Sequence, residues 1–242
     1  MELFMYTVTT NVRLPNEYIR SQSINGGIMK GTTHLAIGAA IGLAAAAYYP
    51  FTLKHAALYV TVAGFSALSA DLDGTSMLSS KLGKLSKLIR ELLLWGGALL
   101  LAGVAYIYYL EAQFYKEYTI ISVIVFLLGM VTKQGMIRNA LVSAIGCILL
   151  YVGLTYAMNW LMGLGLFIAW VPWLNHRGMT HTVWAVLIWG AIGWGLEQQL
   201  QLEGITIVSL AGYVSHLVAD TLTPSGVKWL YPLYKKSIKL PL

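Results

Sequence analysis

From about residue 35 to residue 219 this chain is a succession of apolar runs, each interrupted by only a few polar residues. No other feature limits the fold so tightly. A run of roughly 15 to 20 apolar residues at 1.5 Å per residue matches a hydrocarbon core of about 30 Å. Eight runs are readable: 35–50, 55–70, 92–110, 118–132, 140–156, 158–171, 183–196 and 204–219. The first two and the sixth are short, so six to eight crossings are expected, some of them re-entrant. Composition agrees, with 57% hydrophobic residues, 11% charged and a mean hydropathy of +0.67, which places the chain among membrane proteins. The runs are continuously apolar, without the alternation of a barrel strand. The expected fold class is therefore all-α: a polytopic integral membrane helical bundle, filling residues 29–242 as a single domain.

Charge sets the expected orientation. Lys81, Lys84, Lys87 and Arg90 follow the second run, Lys133 and Arg138 follow the fourth, and Lys228, Lys235, Lys236 and Lys239 follow the eighth. If the runs alternate in direction, all of these share one side, which the positive-inside rule makes cytoplasmic. The other side carries Glu111, Lys116, Glu117, Glu197 and Glu203, with Lys54 as the exception. The net charge of +6 is thus a membrane feature, and no nucleic-acid partner is expected. Within 78–92, Leu78, Leu82, Leu85, Ile89 and Leu92 recur at three- and four-residue steps, apart from the lysines. This predicts an interfacial amphipathic helix on anionic lipid, the alternative being a solvated helical loop. Trp170, Trp173 and Trp229 near run ends fit an aromatic belt. Cys147, alone in an apolar run, reads as a small packing residue. Residues 1–28 contain no signal-peptide core and read as a disordered tail, or as sequence ahead of a true start at Met29.

Ionisable groups inside or beside spans are costly and usually functional. The three aspartates and five histidines are Asp71, Asp73, Asp220, His34, His55, His176, His181 and His216. His34 opens the first run, Asp71 and Asp73 close the second, His176 and His181 straddle the start of the seventh, and His216 and Asp220 close the eighth. All but His55 therefore arrive at one membrane face from four separate places in sequence. His216 and Asp220, four apart, share a helix face as two ligands of one metal do. In Asp71-Leu72-Asp73, both carboxylates can ligate, or one can ligate while the other orients a histidine. His176 and His181, five apart, cannot both ligate from one regular helix. His176 is expected in the loop, with Thr180 capping the next helix and His181 in its first turn. Thr33 reads as a cap of the first helix, and Thr223-Pro224 as a terminator of the last. Imidazole and carboxylate without thiolate suit zinc first, or manganese or iron, as one or two ions. Arg177 can grip a phosphate or carboxylate. Taken one at a time, His34 reads as a hydrogen-bonded structural residue sooner than as a ligand, Asp71 and Asp73 fit a helix end or turn, and the His216/Asp220 pair fits a buried hydrogen bond; His55 is read as a structural residue of this kind.

"MKGTTHLAIG" (29–38), Asp71-Leu72-Asp73, "HRGMTHT" (176–182) and "HLVADTLTPSG" (216–226) together resemble the YdjM family of membrane-bound, predicted metal-dependent hydrolases of bacterial inner membranes. The resemblance runs from about residue 29 to the end, with Thr182 where the family usually has Ser. It implies a hydrolase with a divalent metal and is consistent with a start at Met29. The reading is then a metal centre at the cytoplasmic face, where a bound metal lowers the pKa of water. His34, Asp71, Asp73, His176, His181, His216 and Asp220 serve as ligands or water-orienting bases, and Arg177 meets an anionic substrate. Location beside lipid favours a lipid or lipid-linked phosphoester. The alternatives are a transporter of metal ions or protons using the same residues as a relay, and a membrane scaffold held by a structural metal.

Overall fold

The computed structural model describes residues 30–74 and 77–240; the tail and start expected for residues 1–28 lie outside them. Eight α-helices follow in order: α1 Gly31–Tyr48, α2 Leu53–Ser69, α3 Ser80–Glu111, α4 Lys116–Val131, α5 Gln134–Thr155, α6 Asn159–Trp170, α7 Val183–Leu200 and α8 Ile205–Thr221. Each expected run falls on one helix, and no strand forms among the described residues. Three short 3-10 turns, Ala70–Asp73, Val171–Trp173 and Met179–His181, lie at one end of the bundle, where the first packs on the other two.

Three of the helices, α1, α3 and α5, are long and apolar enough to cross a membrane. Helix α3 has 32 residues, about 48 Å at 1.5 Å per residue, which exceeds a core of about 30 Å. The amphipathic segment is therefore not a separate interfacial helix but the first turns of α3. The α3 backbone has no break between the basic stretch and the span, so one helix carries both. Leu78, in the turn before it, and Leu82 pack against the protein core, while Lys81, Lys84, Lys87 and also Leu85 and Leu92 are exposed. Large apolar side chains such as Trp95, Leu99, Ile124 and Ile148 face outward from α3, α4 and α5. That surface suits hydrocarbon, where backbone groups must be satisfied inside helices as they are here.

Helices α1, α2, α7 and α8 form the inner packing unit: α2 meets both α1 and α8, α8 meets α1 and α7, and α6 links α7 to α5 and the outer helices. One core cluster surrounds Trp189, Tyr213, Leu217 and Phe167, and a second surrounds Tyr59, Ala63, Ile205 and Val208. Without a hydrophobic drive between helices in lipid, close packing depends on small residues. A Cβ on Gly212 of α8 would lie 2.6 Å from the Ala63 carbonyl oxygen of α2, and one on Gly42 of α1 would lie 2.4 Å from Val60 Cα. At these two crossings only glycine fits.

Hydrogen bonds gather the basic connections at one end. Arg90 Nε donates to the Thr132 carbonyl (3.2 Å), Gln134 to the Gly83 carbonyl (2.9 Å) and Asn139 to the Pro172 carbonyl (2.6 Å). At the opposite end Thr52 caps α2, Glu197 accepts from the Thr206 amide (2.7 Å), and His55 Nδ1 lies 3.4 Å from the Pro50 carbonyl, the structural role expected for it. Three local expectations change. Lys30, not Thr33, precedes α1 as its cap, and Thr33 lies within the helix. Cys147 is exposed, on a face of α5 turned away from the core. Trp229 is not a belt residue: it packs against the core and donates its indole N–H to Thr221 Oγ1 (2.9 Å).

Candidate metal centre

Four chain segments deliver the chemistry to the basic end. His34 sits in the first turn of α1 and is buried. Asp71 and Asp73 lie in the 3-10 turn that continues α2. The segment between α6 and α7 brings His176, Arg177, Thr180 and His181, and the last two turns of α8 bring His216 and Asp220. Every one of the seven expected ligand candidates, and Arg177, is in this assembly, while His55 is not.

The centre of the assembly is defined by four atoms. His181 Nε2 lies 3.7 Å from Asp71 Oδ1 and 3.6 Å from Asp220 Oδ2; His216 Nε2 lies 3.5 Å and 3.9 Å from the same two oxygens. Both imidazole nitrogens are buried and have no hydrogen-bond partner. Their protonation follows from the other ring nitrogen. His216 Nδ1 is 2.7 Å from the Ala67 carbonyl oxygen, which can only accept, so Nδ1 carries the proton. Thr180 Oγ1 donates its one proton to Asp73 Oδ2 (2.7 Å) and must therefore accept from His181 Nδ1 (2.9 Å). In its neutral form each of these histidines thus turns an Nε2 lone pair toward two carboxylate oxygens.

A proton does not bridge these groups well, because N–H···O bonds are formed at about 2.7–3.2 Å and every separation here is longer. A cation does. Ligand atoms 2.0–2.2 Å from a tetrahedral zinc sit about 3.3–3.6 Å apart, near the short end of the observed spacings of 3.5 to 3.9 Å. Charge leads to the same place: burying carboxylates without countercharge is expensive. Arg177 Nη2 meets Asp220 Oδ2 at 2.9 Å and supplies one positive charge against three carboxylates. Three overlapping groups can hold an ion: His181, His216 and Asp220; His34, Asp71 and His216; and Asp71, Asp73 and His176. His34 adds Nε2 at 3.6 Å from Asp220 Oδ1 and stacks on the His216 ring at 3.9 Å.

The two aspartates of the Asp-Leu-Asp step do different things. Asp73 has both oxygens engaged: Oδ1 accepts from His176 Nδ1 (2.7 Å), and Oδ2 accepts from the Arg177 amide (3.0 Å) and the Thr180 hydroxyl. It pins the whole histidine loop and fixes two imidazoles. Asp71 directs Oδ1 into the centre, and its side chain is 22% exposed against 0% for Asp73 and 3% for Asp220. Burial alone would raise the Asp71 carboxyl pKa, but His216 and His181 beside it hold it below the usual carboxylate range. His176 stands half exposed at the rim, its pKa raised above that of an ordinary histidine by the hydrogen bond to Asp73. Arg177 has φ +56, a left-handed backbone that a non-glycine residue adopts at a cost of about 1–3 kcal/mol. Its amide bond to Asp73 and its ion pair to Asp220 hold it there.

The helix-start expectation changes at this loop. Thr182, not Thr180, caps α7, accepting from the Ala185 amide at 3.4 Å, and His181 precedes the helix in a 3-10 turn. The reason is that Asp73, more than a hundred residues away, takes the Thr180 hydroxyl. Thr180 is the residue that sequence reasoning mis-assigned. A threonine directly before a histidine of this cluster was the only available signal.

A family model described as YdjM inner membrane protein matches residues 29–242. No curated protein and no solved structure matches the chain.

Proposed function

From the premise that this chain belongs to the YdjM family of inner membrane proteins, we propose that it is a membrane-bound metal-dependent hydrolase acting on a phosphoester. The observation that carries the reading is the pair of buried, unpartnered Nε2 atoms of His181 and His216 facing Asp71 and Asp220. These four residues would hold a divalent cation, zinc best matching the donor set, with His34 at the edge as a fifth donor or part of a second site. When bound, the ion supplies Lewis acidity and makes water a competent nucleophile near neutral pH.

The chain's own groups supply the rest. Arg177, its guanidinium fixed by Asp220, binds the anionic oxygens of the ester. Asp71, the most accessible carboxylate of the three, would hold the ion through Oδ1 and take a proton from the incoming water on its other oxygen. His176, held by Asp73 through Nδ1, gives a proton from Nε2 to the departing alkoxide. The water oxygen then replaces the alkoxide oxygen on phosphorus, and the P–O ester bond breaks. The site faces the basic end of the bundle, which the positive-inside rule assigns to the cytoplasm, together with the C-terminal segment.

The test is elemental mass spectrometry of the detergent-purified protein beside His181→Ala and His216→Ala, with turnover of a generic soluble phosphoester. Stoichiometric metal in the wild type, lost with turnover in both variants, is the expected result. A wild type without metal after reconstitution, or metal-independent turnover, overturns the reading. Metal without turnover on any phosphoester would favour the transporter or scaffold alternatives.

A further inference from the structure

Beside the metal centre the protein has a second feature that the hydrolase reading does not use. Between α6 and α7 an open cavity of about 440 Å³ runs along α6 from Trp170 back to Gly163, about 10 Å at 1.5 Å per residue. Its volume is in the range of ligand sites, roughly 300–1,000 Å³. Its walls include Leu166, Phe167, Trp170, Trp184 and Ile188, and no charged side chain lines it. Leu166, Trp170 and Ile188 are 57%, 59% and 47% exposed, so the cavity opens sideways on the outer face of the bundle. One end reaches the loop that carries His176, Arg177 and His181, while no ligand candidate itself lines the wall. Met179 and Thr180 form part of the wall, and Thr180 is the residue whose hydroxyl connects Asp73 to His181.

We propose that this cavity holds an acyl chain of an anionic phospholipid, so that the headgroup phosphoester lies at the metal centre. The proposal rests on the hydrolase reading and names its substrate class. Three observations fit this occupant together. The cavity is apolar and opens laterally, which admits a hydrocarbon chain from a bilayer and offers nothing to a polar solute. Its inner end stops at the loop that carries Arg177 and His176, so a chain seated in it brings its polar end to those groups. The same end of the bundle carries exposed Lys81, Lys84 and Lys87, a charge pattern complementary to an anionic headgroup.

The test uses the full-length protein reconstituted in vesicles of phosphatidylethanolamine and phosphatidylglycerol. The probe is a phosphatidylglycerol with a photoreactive diazirine at its acyl terminus, and adducts are mapped by peptide mass spectrometry. Enrichment on the cavity walls, in 163–171 and 184–188, over the outward faces of α3, α4 and α5 is expected. It should fall several-fold in Ile188→Trp and in Leu166→Trp, two variants that fill the cavity from opposite walls at exposed positions. Adducts spread evenly over the outer faces, or unchanged in both filled variants, overturn the proposal. The two ideas fail separately. Bound metal and soluble-phosphoester turnover without cavity labelling would sink the acyl-chain site alone, whereas cavity labelling on a metal-free wild type would sink the hydrolase reading that it was meant to extend.

Discussion

Thr180 and Asp73 show how much of this centre is set by residues that need not touch a metal. The Asp73–Thr180–His181 chain fixes the His181 tautomer, as the Ala67 carbonyl does for His216. Groups that orient a ligating histidine typically contribute 10–100-fold in metal affinity. Thr180→Val, which keeps the shape and removes the hydroxyl, should therefore weaken metal binding by about 10–100-fold, and Thr180→Ser should restore it, as measured by competition with a fluorescent chelator. His176 makes a different prediction, because its ring is held by Asp73 at the rim and outside the four-atom centre. His176→Gln should retain most of the metal while turnover falls by about 10²–10⁴, the usual worth of a general acid. Loss of metal to the level of His216→Ala would instead return His176 to the ligands. The Asp-Leu-Asp step was legible in sequence as two carboxylates with two possible roles. Which one ligates was not, because the answer depends on the Arg177 amide and the Thr180 hydroxyl.

At the scale of elements, the candidate metal centre depends on how closely α8 approaches α2. The Ala67 carbonyl that binds His216 belongs to α2, and the crossing passes through Gly212 and Ala63. Gly212→Val would force the backbones apart, since its Cβ would start 2.6 Å from the Ala63 oxygen. Overpacking of this kind costs about 1–3 kcal/mol, so thermal denaturation in detergent should show a lower midpoint together with reduced metal retention. A variant with wild-type stability would mean that the crossing adapts freely. Helix α3 is the element where sequence and structure part. The periodicity of 78–92 gave the correct local conformation and the lysine face, but periodicity carries no information about where one helix stops and the next starts when no breaker intervenes. Gly83 did not act as one, being tolerated inside the helix, and α3 runs unbroken to Glu111.

For the whole molecule, most of the lysines and arginines gather at the end that holds the His/Asp cluster. Arg90, Gln134 and Asn139 tie the basic connections together near the metal centre, while Glu197 and Tyr59, which donates to the Glu203 carbonyl at 2.6 Å, mark the other end. With the basic end cytoplasmic, a cysteine at Lys235 should react with a membrane-impermeant maleimide only after the cytoplasmic side is exposed. One at Gln199 should react from outside in intact cells. These labels are read in a Cys147→Ser background, since Cys147 is exposed, and the reverse pattern would invert the assigned orientation. Metal binding requires neutral imidazoles and ionised carboxylates, so acidification below the histidine range should release the ion, which dialysis at stepped pH followed by elemental analysis would register.

The sequence by itself determined the class of fold, one helix for each apolar run and the set of residues that meet at one end, because hydrophobic runs, loop charge and i, i+4 spacing are local properties of the chain. Only the tertiary structure decided what each of those residues does there. Asp71 opens toward the centre while Asp73 is consumed by the histidine loop, Thr180 is drawn away from capping, and the apolar cavity between α6 and α7 ends at that same loop. Those outcomes depend on hydrogen bonds and packing between segments more than a hundred residues apart, and no periodicity within one segment encodes which distant atom its side chain will meet.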